Sequence, residues 1–204
     1  MPRFNPLLSQ LRTYPAIAVD EAKARLEATG RRVYDFGKGD PAEPPPSFVR
    51  DALFDAVEPR LPYPRVMGSH AVRQSIADYL ARRFGVSLDP ATQIVPTSGS
   101  KEAVFHLPLL VIDRDAPDRG VVFPDPGYPA YQRGALFAGG EAIAVRLSGD
   151  HILRPERLDP AIVERTRMVW LNTPHNPSGA VMALDDLKRA ADFCRAHDLS
   201  LIHI

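Results

Sequence analysis

Cysteine is nearly absent: Cys194 is the only one in 204 residues. That excludes an intrachain disulfide framework and paired-cysteine metal sites, and it fits a reducing, cytoplasmic setting. An excess of charge is missing too. Lys and Arg total 25 against 25 for Asp and Glu, so there is no basic footprint for nucleic acid or an anionic membrane surface. No apolar run approaches the ~20 residues of a membrane-crossing helix, and the opening MPRFNPLLSQ lacks the continuous hydrophobic stretch of a signal peptide. No internal repeat and no low-complexity segment is visible.

Proline is abundant instead, with 21 residues, about twice its usual share of ~5%. Many stand in DPAEPPP, LPYP and PDPGYP. Their regular interleaving with apolar runs indicates shaped loops at element ends rather than disorder. Apolar residues make up 45% and charged ones 25%, an ordinary globular mix. The length suits one large domain, or a domain and a half, with a sizeable core.

Helices lead the chain. DEAKARLEATG offers Asp20 as N-cap and Gly30 as stop, and SFVRDALFDAV begins at Ser47 with Val49, Leu53 and Val57 on one face. SHAVRQSIADYLARRFG is the clearest: Ser69 caps it, Val72, Ile76, Leu80 and Phe84 form a stripe, and Gly85 closes it. From about residue 93 short apolar runs alternate with helical patterns. QIVPT, GVVF, EAIAVRL, RMVWLN and LSLIHI read as strands, and SKEAVFHLPLLVI, YPAYQRGALFAG and LDDLKRAADFCRAH as helices. Pro108 should kink the first of these three helices or fall near its end. Such alternation predicts an α/β fold, a mostly parallel sheet with helices on both faces.

Three strand-end loops carry the chemistry. PTSGSKEA (96–103) turns on a glycine into a helix, where outward N–H groups at a positive helix end suit a phosphate. It matches neither the dinucleotide nor the P-loop fingerprint. PDPGYPAY (124–131) sets Tyr128 and Tyr131 on a proline-stiffened turn, either to stack on a flat ring or to fill the core. NTPHNPSG (172–179) presents Asn176, whose amide can donate to a ring oxygen. A phosphorylated aromatic cofactor accounts for all three loops together.

GSKEA, PDPGYPAY and NTPHNPSG, at these spacings, resemble the class I/II aminotransferases, which use pyridoxal 5′-phosphate on the fold-type I scaffold. FGKGDP (36–41) and YPRVMGSHAVRQSIADYLARRFG are similar to that family's N-terminal segments, and the likeness runs from about residue 33 onward. It implies residues 1–44 as an N-terminal arm and small-domain segment, and 45–204 as an incomplete cofactor-binding large domain. Backbone N–H groups of Ser100 and Lys101 would hold the phosphate, with Gly99 permitting the close approach. Tyr128 would stack on the pyridine ring, and Asn176 would bond its phenolic oxygen. Tyr63 would reach the phosphate of the neighbouring subunit in a homodimer, and Gly39 would lie beside the substrate carboxylate. His175 and Asn172 are read as shaping their loop, while His106 and Cys194 are read as helix residues without a chemical role.

The resemblance also implies what to expect beyond these residues. The family's cofactor-binding lysine and its carboxylate-clamping arginine are expected past Ile204, and Lys38, Lys101 and Lys188 stand in the wrong contexts to replace that lysine. No catalytic residue is therefore assigned, and the chain alone is expected to be inactive. The family's aspartate for the pyridine nitrogen is expected at Ile204 or one residue later, so the last four or so residues are read as departing from the pattern. The bond before Pro177 is expected to be cis. The implied activity is exchange of an amino group between an amino acid and a 2-oxo acid. YPAIAVDEAKARL and GSKEA point toward the succinyldiaminopimelate or LL-diaminopimelate transaminase branch of lysine biosynthesis. Two alternatives stay open: a lyase or decarboxylating synthase on the same scaffold, and a non-catalytic aminotransferase-like sensor domain.

Overall fold

The computed structural model describes residues 4–11, 15–37, 39, 41, 43–60 and 62–204. They fall into two compact units, one holding Ser98–Ile204 together with residues 4–11, the other spanning residues 15–97.

The 15–97 unit is built from α1 (Pro15–Glu27), α2 (Ser47–Asp55) and α3 (His70–Phe84). Helix α1 starts five residues before the expected cap, so Asp20 lies inside it. A proline at the first helical position needs no amide partner, and this lets the helix begin at Pro15. Gly30 ends the turn that follows α1, as expected, its N–H donating to the Glu27 carbonyl at 2.9 Å. Ser69 caps α3 through a 3.2 Å bond from the Val72 N–H, and Gly85 closes it in the left-handed conformation. Arg73 reaches from α3 to the Pro90 and Ala91 carbonyls at 2.9 and 3.2 Å, holding the following loop. QIVPT, expected as a strand, forms none: Ile94 is buried, but residues 93–97 join no ladder among the described residues. Apolar pattern alone makes a segment extended; a strand also needs a neighbour for its N–H and C=O groups.

In the other unit α4 (Ser100–Val111) leads into β1 (Gly120–Asp125), α5 (Ala130–Phe137) and β2 (Glu141–Arg146). The short α6 (Pro160–Val163), β3 (Thr166–Leu171), α7 (Leu184–Ala196) and β4 (Ser200–His203) follow. All strand pairs are parallel, in the order β2-β1-β3-β4. Pro108 is buried in the last turn of α4, near the helix end as expected, so the intrahelical bond it cannot donate lies close to the terminus.

The two central strands are apolar on both faces, and their alternation sorts the core. Val121, Phe123, Met168 and Trp170 pack against α4 and α5 through Val104, Tyr131 and Ala135. Val122, Val169 and Leu171 pack the other way, with Ala190 and Cys194 of α7. Trp170 is fully buried and stacks on Tyr131, ring centroids 5.1 Å apart. The chain end holds the ladder too: Ile204 N–H donates to the Leu171 carbonyl at 3.0 Å, and Thr173 N–H to the Ile204 carbonyl at 2.7 Å.

Candidate functional site

Parallel strands bring the loops after β1 and β3 to one edge of the sheet. A methyl group on Gly140, just before β2, would meet the Ile112 side chain at 3.3 Å, so the end of α4 sits at the opposite, amino edge. Twelve residues of helix span about 18 Å, which carries the start of α4 to the carboxyl edge beside the two loops.

That start is led by a glycine in place of a capping side chain. Gly99 occupies the N-cap position at φ +86°, a left-handed conformation in which a side chain is strained, and nothing would lie within 4 Å of a Cβ there. Ser100 and Lys101 are exposed, and Glu102 turns back to accept from the Ser98 N–H at 3.3 Å. The arrangement leaves room for an anion where the helix dipole favours one.

The loop after β1 is held by its own glycine and by aromatic packing. A Cβ on Gly127 would collide with the Pro124 carbonyl, so only glycine lets the chain fold back here. Tyr131 is 1% exposed and Tyr128 half-buried, their rings edge to face at 5.9 Å. The two tyrosines thus divide the two roles open to them: Tyr131 fills the core and Tyr128 stands at its margin. Burial pushes the Tyr131 hydroxyl up to about 12, with the neighbouring Tyr128 adding to the shift.

The loop after β3 is a web of side-chain-to-backbone bonds. Asn172 accepts from the Asn176 N–H at 2.8 Å and donates to the Ile204 carbonyl at 3.2 Å. Thr173 accepts from the Met182 N–H at 2.9 Å. His175, 4% exposed, places its ring nitrogens 2.7 Å from the Ser178 hydroxyl and 3.1 Å from the Pro126 carbonyl. The expected loop-shaping roles of His175 and Asn172 are thereby observed. Asn176 stands exposed at the tip, and the peptide before Pro177 is cis, as expected. The bonds before Pro126 and Pro174 are cis as well, which no sequence signal announced.

Gly99, Ser100, Lys101, Tyr128 and Asn176 therefore share the carboxyl edge of one sheet. Gly39 and Tyr63 belong to the 15–97 unit: a Cβ on Gly39 would meet nothing within 4 Å, and Tyr63 is 93% exposed. Lys38 lies outside the described residues. His106 is exposed on α4, its ring 5.2 Å from Phe105, and Cys194 is buried against the sheet. The bonding roles of Ser178 and Thr173 went unread because a hydroxyl in a loop carries no pattern of its own.

A glycine-turned helix start, a half-buried tyrosine and an exposed asparagine thus stand at the carboxyl edge of a parallel sheet, the edge at which α/β proteins hold small ligands. The sequence matches the family model described as aminotransferase class I and II over residues 31–203. The chain belongs to the class I and II aminotransferases. It is 36% identical over 202 residues to LL-diaminopimelate aminotransferase of Nitratidesulfovibrio vulgaris, covering 96% of this chain and 51% of that protein. The LL-diaminopimelate aminotransferase of Gloeobacter violaceus is 32% identical over 201 residues, covering 96% and 50%. Aspartate aminotransferase from Thermus thermophilus with maleate superposes with a TM-score of 0.84 at 26% identity, over 100% of this chain and 53% of that one. The chain spans about half the length of the curated relatives it matches.

Proposed function

We propose that this chain supplies the phosphate- and ring-holding side of a pyridoxal 5′-phosphate-dependent aminotransferase. The observation that carries the reading is the joining of the Tyr128 and Asn176 loops at the sheet edge toward which the glycine-turned start of α4 points. The residues fit the cofactor: the open Gly99 turn suits a dianion, and the exposed part of Tyr128 offers a flat partner.

Backbone N–H groups of Ser100 and Lys101 would bind the phosphate, aided by the positive end of α4. Tyr128 would cover one face of the pyridine ring and exclude water from it. The Asn176 amide would donate to the phenolic oxygen and fix the ring's rotation. Bound in this way, the cofactor supplies the electron sink for moving an amino group between an amino acid and a 2-oxo acid. Gly39 would leave space beside the substrate carboxylate, and Tyr63 would reach the phosphate of the second subunit of a homodimer. Residues 1–44 are read as arm and small-domain segment, 45–204 as large domain, and the enzyme as cytoplasmic. The names of the relatives support a diaminopimelate-type substrate.

The test pairs a variant with a truncated cofactor. Asn176→Ala should weaken binding of pyridoxal 5′-phosphate about tenfold, the worth of one well-made hydrogen bond. The same variant should bind the analogue lacking the phenolic oxygen as the unmodified chain does, which isolates that single contact. Equal losses for both ligands would place Asn176 elsewhere.

A further inference from the structure

We propose that His175 is a positioning residue that locks the Asn176 loop to the Tyr128 loop, so that amide donor and aromatic plate meet the cofactor as one rigid pair. The proposal rests on the cofactor reading above. His175 is 4% exposed, and its ring joins positions 49 residues apart in sequence.

The bonding fixes the ring's tautomer. The Pro126 oxygen, 3.1 Å from Nε2, is a carbonyl and can only accept, so Nε2 carries the proton. Nδ1 of the neutral ring then accepts from the Ser178 hydroxyl at 2.7 Å, and that oxygen in turn accepts from the Ala180 N–H at 3.3 Å. The backbone of the same residue is pinned as well. His175 N–H donates to the Ala180 carbonyl at 2.8 Å, and Gly179 N–H donates to the His175 carbonyl at 2.7 Å. Four groups of one residue are thus committed, three inside the loop and one across to its neighbour. A buried imidazole N–H needs an acceptor, and His175 takes its acceptor from the other loop. Asn176 follows directly, and Pro126 lies two residues before Tyr128. The bond therefore joins the residue before Asn176 to the backbone just ahead of Tyr128.

Two substitutions separate positioning from packing. In His175→Gln the amide nitrogen stands near the old Nε2 and still reaches Pro126, whereas in His175→Asn it stops near Nδ1. His175→Asn should weaken pyridoxal 5′-phosphate binding about tenfold and His175→Gln by no more than about threefold. Without cofactor, His175→Asn should speed hydrogen exchange of the Tyr131 amide, whose 3.1 Å bond to the Tyr128 carbonyl closes the far loop, and His175→Gln should not. Ser178→Ala keeps the imidazole and removes its Nδ1 partner; it carries the exchange comparison if His175→Asn does not fold, with about a threefold rise expected. Unchanged Tyr131 exchange in the folded variants, or equal binding losses for Gln and Asn, would overturn the proposal. If the unmodified chain fails to bind the cofactor while the exchange pattern holds, the cofactor reading falls and the lock between the loops stands.

Discussion

Asp186 is 7% exposed on α7 and accepts from Arg154 at 3.3 Å through both of its oxygens, with Arg189 on the same carboxylate. Arg154 also pairs with Asp150 at 2.7 Å, so the segment after β2 is fastened to α7 by ions rather than by packing alone. The Arg154 guanidinium, ahead of Arg189, holds the Asp186 carboxyl below its ordinary 3.8, while burial opposes them. A carboxyl lowered by folding contributes stability above its unfolded value and loses it as pH falls through the folded one. Asp186→Asn should therefore lower the urea midpoint at neutral pH, and the gap to the unmodified chain should close as pH falls below 3.8. Parallel acid curves for the two proteins would contradict this. Cys194 offers a second check at the same scale. Burial, with a smaller contribution from Glu156, pushes its thiol up to about 11. At about pH 8 a disulfide reagent should leave it untouched in the folded chain and titrate it fully in denaturant.

At the scale of elements, the central strands were the most legible part of the sequence. GVVF and MVWL are short and apolar throughout, and that pattern belongs to a strand covered on both faces. Deleting a side chain from such a strand leaves a void that neighbours on two sides cannot both fill. Met168→Ala, at a fully buried position, should cost about 2–5 kcal/mol in denaturant unfolding. A loss under about 1 kcal/mol would mean that the α4 face collapses onto the gap. Legibility failed where an element depends on residues far away. QIVPT has the composition of a strand but no ladder, and α1 begins before the residue that best suited a cap. The site divided along the same line. Gly99, Tyr128 and Asn176 were readable because each stands in a loop whose glycine and prolines fix its path. The Arg154–Asp186 pairing, 32 residues apart in sequence, left no local trace.

For the whole molecule the telling quantity is apolar surface. Within residues 15–97, Val66 is 99% exposed, Phe36 94%, Phe54 74% and Phe48 70%. Large apolar side chains this exposed on a chain of balanced charge are candidates for cover by further polypeptide. Sedimentation velocity should show the weight-average coefficient rising with concentration, in keeping with the homodimer proposed above. Val66→Asp together with Phe36→Asp should shift the onset of association to about tenfold higher concentration. A constant monomer coefficient across that range would remove the support that this surface lends to the dimer.

The strand order has one more consequence. From β1 the chain passes through α5 to β2 on one side, then recrosses to β3 on the other side of β1. The helix that follows β1 covers one face of the sheet, and the helix that follows β3 covers the opposite face. The two connections therefore leave on opposite faces, and the carboxyl ends of β1 and β3 form the switch point at which open α/β sheets hold their ligands. In the cofactor reading proposed above, the address of the ligand follows from the topology, while PDPGY and NTPHNPSG determine who can live there. Exchanging those two loops for others of equal length should change the guest and leave its location untouched.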